Sequence, residues 1–532
     1  MFVSSVGLAH TSNRRAAGTK EKRYPVSKTQ VNGSDLLNIP LEEFDAPLFQ
    51  TLLGYVRQHA LRFHMPGHKG GLGFPPEVAE AFKRNVLAID VTETRGMDNL
   101  HLPSGCIRQA QDLAAQTFGA DRTFFLTNGT TAGVHAMIMT TCKEGQKIVI
   151  PRDAHLSVIG GVILAGLQPV FVYPDVDPEW GVSVGVPTRE YERALSEHPD
   201  AKACLITRPN YYGMAGDLSV LVELCHDHGI PLLVDEAHGP HIHLHEAMPR
   251  SALSYGADMV VQSTHKTLGS LTGSSMLHIK GERIHPDRVQ RMLAILQSTS
   301  PSYLLMASID ITATLMRLRG HDLVERAIRL SDKARERLSH VPGVRVLSRP
   351  VMDKCKLSVS MIELGLAGFE LKNRLMDEHN ARVELADFEN VIAFVTYADT
   401  EGDVDALVDA MIRVAEEARS ERAAAGPSSR KRGDQARFTQ HLFAPAERAM
   451  LPRQATLAAH ELARLHDSPG RVCAEVVAPY PPGIPLLYPG EIIDQSHLEI
   501  IEEAISLGAV FRGLAAGPNG QLIVTVVKAG KS

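Results

Sequence analysis

Two short apolar runs, each ending in a chemically loaded residue, constrain this chain more than any other feature. IPLLV at 230–234 reads as a buried strand and ends in Asp235-Glu236-Ala237-His238-Gly239. MVVQ at 259–262 reads as a second strand and runs directly into Ser263-Thr264-His265-Lys266. A loop rich in Gly, Ser and Thr follows, through Ser275. Lys266 stands 31 residues after Asp235. An acid and a lysine at the ends of two core strands can face one crevice at the mouth of an α/β sheet, where ligands bind. Each alone is ordinary: Asp235 as a helix cap, Lys266 as a solvated surface lysine.

The pair has a specific chemistry. A lysine at such a strand end can form an imine with an aldehyde, and a carboxylate can keep a pyridine nitrogen protonated. Hydroxyls, an imidazole and backbone amides around them can hold a phosphate. These are the requirements of pyridoxal 5'-phosphate (PLP).

Composition excludes several other classes. With 532 residues, 44% hydrophobic and 22% charged, the chain can bury large cores in two or three domains. A net charge of −6 gives no footing for nucleic acid, and the apolar runs are strand-sized, too short to span a membrane. Cys106, Cys142, Cys204, Cys225, Cys355 and Cys473 form no Cys-x-x-Cys pair, which suits free thiols in a reducing compartment, with no metal site.

The remaining motifs fall in order along the chain. Residues 1–40 carry Arg14, Arg15, Lys20, Lys22 and Arg23, with Glu21 the only acid before Asp35, and read as a disordered basic tail. PLFQTLLGYVRQHA at 47–60 has helical spacing, and RFHMPGHKGG at 62–71 is a rigid loop holding Lys69, a weaker candidate for the imine. DVTETRGMDNLHLPSG at 90–105 concentrates Asp90, Glu93 and Asp98, acids that could meet a cationic substrate. A strand at 123–127 leads through Asn128-Gly129-Thr130-Thr131 into a helix at 134–141, a natural phosphate turn. A strand at 148–150 ends in PRDAH, so that His155 could lie on a pyridine ring. Strand and helix alternate over 80–290, which predicts a doubly wound, mostly parallel sheet. A long helical connector is expected at 293–319, and a smaller α/β unit over 320–418 with strands at 356–362 and 391–396. The stretch 420–440, with Arg430-Lys431-Arg432, reads as an exposed linker. A helix is expected at 453–465, before the proline-locked YPPGIPLLYPGE that ends in Glu491.

RFHMPGHKGG, DNLHLPSG, NGTTAG, PRDAH, VDEAHGPH, QSTHK, STSPSY and YPPGIPLLYPGE occur in the order of the PLP-dependent ornithine/lysine/arginine decarboxylases, fold type I. From about residue 47 onward the chain resembles that family, most of all its shorter bacterial arginine decarboxylases. The resemblance implies an aminotransferase-like α/β fold with a mostly parallel, seven-stranded sheet. It divides the chain into a PLP-binding domain at 41–295, a small α/β domain at 296–420, a linker at 421–444 and a C-terminal α+β domain at 445–532. It makes Lys266 the imine lysine and Asp235 the partner of the ring nitrogen. His155 would stack on the ring, with Ala237 on the opposite face and His238 beside it. Gly129, Thr130, Thr131, Ser263 and His265 would hold the phosphate, and Ser298 or Thr299 would reach the phosphate of a neighbouring subunit across a dimer interface. Lys266 or His265 would protonate the α-carbon. Leu156 and Gly273 depart from the lysine and glutamine that many relatives carry at these places.

These features predict a cytoplasmic, homo-oligomeric enzyme (a dimer or a dimer of dimers) that decarboxylates a basic amino acid. L-arginine, giving agmatine for polyamine biosynthesis, comes first, with Asp98 and Glu491 as acids for the cationic side chain. Lysine or ornithine is the alternative substrate. An aminotransferase or a non-catalytic PLP-binding regulator is the alternative of another class.

Overall fold

The computed structural model describes residue 52 and residues 54–425, 434–480, 483–506, 508–517 and 520–529. The chain separates into Met1–His59 and Ala60–Ser532. The basic tail and Arg430-Lys431-Arg432 lie outside the described residues. Of the helix expected at 47–60, a turn at 54–57 is described.

Within the larger unit, seven strands build one sheet: β1 (Arg122–Leu126), β2 (Lys147–Pro151), β3 (Gln168–Val172), β4 (Cys204–Thr207), β5 (Leu232–Asp235), β6 (Met259–Gln262) and β7 (Ser275–Ile279). Their order is β1-β7-β6-β5-β4-β2-β3, and β7 alone runs antiparallel to its neighbours. The two-residue period of each strand divides its apolar side chains between two cores. Ile148, Ile150, Leu205, Leu233 and Val261 point to one face, where α2 (Gly129–Thr141) and α3 (Leu156–Ala165) cover them with Val134, Ile138, Val158 and Val162. Val149, Cys204, Ile206, Leu232, Val234 and Val260 point to the other, against Leu195, Leu221, Val222 and Leu253. Burial on both faces explains why the strands read as near-continuous apolar runs.

The connector after β7 is two helices, Pro286–Leu296 and α4 (Tyr303–Ser339). They part at 297–302, where Pro301 cannot continue a helix and Ser302 caps α4 by accepting from Leu305 N–H. α4 leads to an antiparallel sheet of β8 (Arg345–Val346), β9 (Lys356–Ser360), β10 (Leu385–Ala386) and β11 (Asn390–Phe394), in the order β8-β9-β11-β10. Leu357, Val359, Val391 and Ala393 of this sheet pack on Leu330 and Ala334 of α4 and on Leu407, Val408 and Met411 of the helix Glu401–Ala425.

Two expectations need correction. The stretch at 421–444 is not simply an exposed linker, because it contains the end of Glu401–Ala425 and the helix Asp434–Leu442, whose Phe438 and Leu442 enter the C-terminal core. The helix at 453–465 ends at Leu457, and His460–Arg464 is instead strand β12, paired with Leu522–Val527. Pairing across the sheet overrides the local helical preference of AAHELAR.

Candidate active site

Asp235 is the last residue of β5, in register with Val261 of β6, and the sheet thus delivers Asp235 and Lys266 to one end. Asp235 Oδ1 accepts from Ala237 N–H at 3.1 Å. Burial raises its pKa, while Lys266 and the Ala237 N–H favour the charged form. Lys266 lies in the short helix Thr264–Thr267, which Ser263 joins to the end of β6. Burial lowers its pKa, against the pull of Asp235 and Glu384. A buried lysine with a lowered pKa is a stronger nucleophile at neutral pH than a solvated one.

The Lys266 amine lies 3.0 Å from His238 Nε2, and Lys356 Nζ at the start of β9 lies 3.2 Å from His238 Nδ1. Tyr211 packs on the His238 ring at 4.5 Å, and Phe394 meets its edge at 5.8 Å. Burial, Lys266 and Lys356 push the His238 pKa well below its ordinary value, so the imidazole is neutral. Lys356 sits 3.2 Å from the Phe394 ring centroid, and burial lowers its pKa to about 7.

The expected phosphate turn has the required parts. Thr130 and Thr131 open α2, where their N–H groups have no carbonyl one turn earlier to receive them. Thr130 Oγ1 meets Ser263 Oγ and, at 2.8 Å, Ser275 Oγ. Gly129 is a correction: its N–H donates to the Gly273 carbonyl at 2.7 Å, so it shapes the turn and does not offer that donor to a ligand. Gly273 has φ +91, a conformation that favours glycine and turns its carbonyl toward Gly129. Leu156, the other departure, is the first residue of α3.

His155 caps α3, its Nδ1 accepting from Ser157 N–H at 3.2 Å. Burial, with Lys266 and Arg512 nearby, lowers its pKa to about 4. His265 Nδ1–H donates to the Ser274 carbonyl at 2.7 Å, and burial likewise lowers its pKa to about 4. Both rings are therefore neutral at pH 7. Ala237 is buried beside Asp235, whereas Ser298 and Thr299 are exposed in the loop between the connector helices.

Lys69 is part of the scaffold. Its amine donates to the carbonyls of Arg62 (2.6 Å) and Phe394 (3.1 Å) and pairs with Asp399 at 3.7 Å. The loop it braces packs against the main chain of Lys266: a Cβ on Gly67 would stand 2.4 Å from the Leu268 carbonyl and 3.0 Å from that of Lys266. That contact gives the PGHK motif its purpose.

Neither acid expected to meet the substrate is free to do so. Asp98 accepts from the N–H groups of Asn99, Ser104, Gly105, Ile107 and Arg108, and so caps α1 (Cys106–Phe118). Burial opposes its charge, but these donors outweigh it and lower its pKa. Glu491 is 2% exposed and forms a two-pronged pair with Arg152, at 2.7 and 3.1 Å, while accepting from Tyr488 N–H at 2.8 Å. Arg152 also lies over the Tyr488 ring at 4.3 Å. These two motifs, PRDAH and YPGE, hold each other.

Removing one member of a buried ion pair leaves the other uncompensated, at a cost of about 3–5 kcal/mol. Glu491→Gln should therefore lower the thermal midpoint by several degrees. Calorimetry checks this, and an unchanged midpoint with a raised KM would return Glu491 to substrate binding.

Glu384, Lys356 and Tyr211 escaped the sequence reading. Glu384 lies between the strand Ala381–Val383 and β10, with Oε2 accepting from Met65 N–H at 2.8 Å. It is the carboxylate whose field reaches Lys266, Lys356 and Lys69 alike. A lysine heading the fully buried strand KLSVS at 356–360, where Leu357 and Val359 alternate with serines, was the one local sign of Lys356.

The donor set fits PLP: a buried lysine, a buried acid on the adjacent strand and hydroxyls at a helix N-terminus. Residues 46–360 match the model of the Orn/Lys/Arg decarboxylase major domain, and residues 435–517 match that of its C-terminal domain. The chain belongs to the Orn/Lys/Arg decarboxylase family. It is 38% identical to an arginine decarboxylase of Bacillus subtilis, over 89% of this chain and 96% of that protein. Its fold matches the lysine decarboxylase of Francisella novicida with a TM-score of 0.71 at 21% identity, covering 91% of this chain and 81% of that one. It matches an alanine–glyoxylate aminotransferase from Nostoc sp. with a TM-score of 0.51 at 17% identity, covering 66% and 94%. The expected type I fold is therefore present. Among the described residues, no helix is long and apolar enough to cross a membrane.

Proposed function

We propose that this family member is a PLP-dependent decarboxylase that converts L-arginine to agmatine and CO2. The observation that carries the chemistry is Lys266, its amine buried against neutral His238 at the sheet end that also presents Asp235. The 38% identity to an arginine decarboxylase supports the substrate.

Lys266 would hold the cofactor covalently, and Thr130, Thr131, Ser263 and His265 would bind its phosphate. Bound there, PLP supplies an electron sink for the pair left on the α-carbon when CO2 departs. Asp235 would keep the ring nitrogen protonated, with His155 and Ala237 as the residues that would pack against the ring. Lys266 afterwards returns a proton to the α-carbon. Glu384 replaces Asp98 and Glu491 as the carboxylate for the guanidinium, since Met65 N–H holds its Oε2 in place and its charge reaches both Lys266 and Lys356. Exposed Ser298 and Thr299 support a homodimer in which each loop reaches the neighbour's phosphate. All six cysteines are free, which supports a reducing, cytoplasmic setting, and agmatine as the product supports a role in polyamine biosynthesis.

Measuring CO2 release from arginine, lysine and ornithine tests this reading. Arginine should be turned over fastest. Faster release from lysine would overturn the arginine assignment, and release from none of the three would overturn the activity. Glu384→Gln should raise KM for arginine roughly thirtyfold, the effect of losing about 2 kcal/mol from a half-buried charge contact. An unchanged KM would remove Glu384 from the substrate site.

A further inference from the structure

Three basic groups in this site form one hydrogen-bonded chain, Lys266 Nζ to His238 Nε2 at 3.0 Å and His238 Nδ1 to Lys356 Nζ at 3.2 Å. A neutral imidazole carries one N–H and one lone pair. His238 therefore donates to one lysine and accepts from the other, so one of the two lysines is a neutral amine while both bonds hold. The chain stores one proton that can rest at either end.

We infer that His238 and Lys356 form a proton relay that recharges Lys266 during each turnover, with Lys356 as the proton reservoir. This deepens the function proposed above and rests on Lys266 being the cofactor lysine. The substrate amine would form its own bond to the cofactor's aldehyde carbon as the bond to Lys266 Nζ breaks, which leaves Lys266 as a neutral amine. The Lys356 ammonium then passes a proton to His238 Nδ1 while His238 passes its Nε2 proton to Lys266 Nζ. Lys356 becomes neutral, Lys266 becomes an ammonium, the imidazole changes tautomer and the net charge of the chain is unchanged. Lys266 gives that proton to the α-carbon after CO2 leaves and is again a neutral amine. The reaction consumes one proton per CO2 released, and Lys356 recovers it from solvent between turnovers.

The surroundings suit a reservoir. Lys356 is fully buried, facing Asp353 and Cys355 from the turn before β9, Glu384 from beyond the Ala381–Val383 strand, and His238 and Lys266 from the central sheet. Its pKa of about 7 makes both protonation states accessible near neutrality. Tyr211 and Phe394 hold the His238 ring between the two amines.

Lys356→Met and Lys356→Arg in the holoenzyme test the relay. Arginine keeps the charge and the donors but does not give up its proton. The relay predicts that both variants still carry the reduced pyridoxyl adduct on Lys266, with KM for arginine within about twofold. In both, kcat should fall a hundredfold or more, the loss expected of a missing proton donor. In the unaltered enzyme kcat should fall as pH rises through about 7, as Lys356 loses its proton, and neither variant should keep that limb. Near-normal kcat in Lys356→Met, or restoration by Lys356→Arg, overturns the relay and leaves a structural or purely electrostatic role. If neither variant folds, the unaltered enzyme still decides. Two protons moving together give kcat a curved dependence on the D2O fraction, and a linear or absent dependence overturns the relay. Failure of the underlying reading shows in the unaltered enzyme itself, as no CO2 release from any basic amino acid, and takes the relay with it.

Discussion

Lys266→Ala should give a folded protein that binds PLP weakly and releases CO2 at a rate at least a thousandfold below that of the parent. The magnitude corresponds to about 4 kcal/mol or more of lost transition-state stabilisation. The substitution removes both the covalent tie to the cofactor and the donor that returns a proton to the α-carbon. It should cost little stability, because burial already disfavours the Lys266 charge and the strand and turn that present it are set by other residues. Thermal denaturation and CO2 release, measured on one preparation, check both halves. An active variant would mean that another lysine holds the cofactor.

Asp235→Asn separates electrostatics from packing. Asparagine keeps the size and can still accept from Ala237 N–H, but it cannot stabilise a protonated pyridine nitrogen. A preorganised charge of this kind is worth on the order of 3 kcal/mol or more, so kcat should fall about a hundredfold or further. The folded state should persist, since burial raises the Asp235 pKa and removing a buried charge relieves that penalty. Lys266 loses a carboxylate that favours its ammonium form, and its pKa should fall further. Steady-state kinetics with PLP in excess measure the effect. Near-normal kcat would reduce Asp235 to a cap on the turn that follows it.

The features legible in the sequence are those in which local pattern and tertiary role coincide. Each parallel strand is buried on both faces, so IPLLV and MVVQ announce themselves as core, and Asp235 and Lys266 follow them without a gap. Thr130 and Ser263 come from separate strand ends, and the sheet order brings them together. Asp98 and Glu491 show where such reading fails. An acid held in a rigid loop satisfies the requirement of a cationic substrate, but it equally satisfies five backbone N–H groups or a buried guanidinium. Sequence cannot separate these uses, because the partner of Glu491 lies 339 residues away. Lys356 and Glu384 were hidden for the same reason. They enter the site from the antiparallel sheet beyond α4, and only the packing of that sheet on the first brings Lys356 to His238. His460–Arg464 failed differently: its composition permits a helix, and a strand more than sixty residues later decides otherwise.

Borohydride reduction of the holoenzyme, followed by proteolysis and mass spectrometry, tests the central claim most directly. The pyridoxyl group should be found on the peptide containing Lys266, with the absorbance of the bound cofactor lost in proportion. The Lys69 amine is committed to main-chain carbonyls and Asp399 and should be unlabelled. A stoichiometric adduct on Lys69, on Lys356 or on any lysine other than Lys266 would contradict the account.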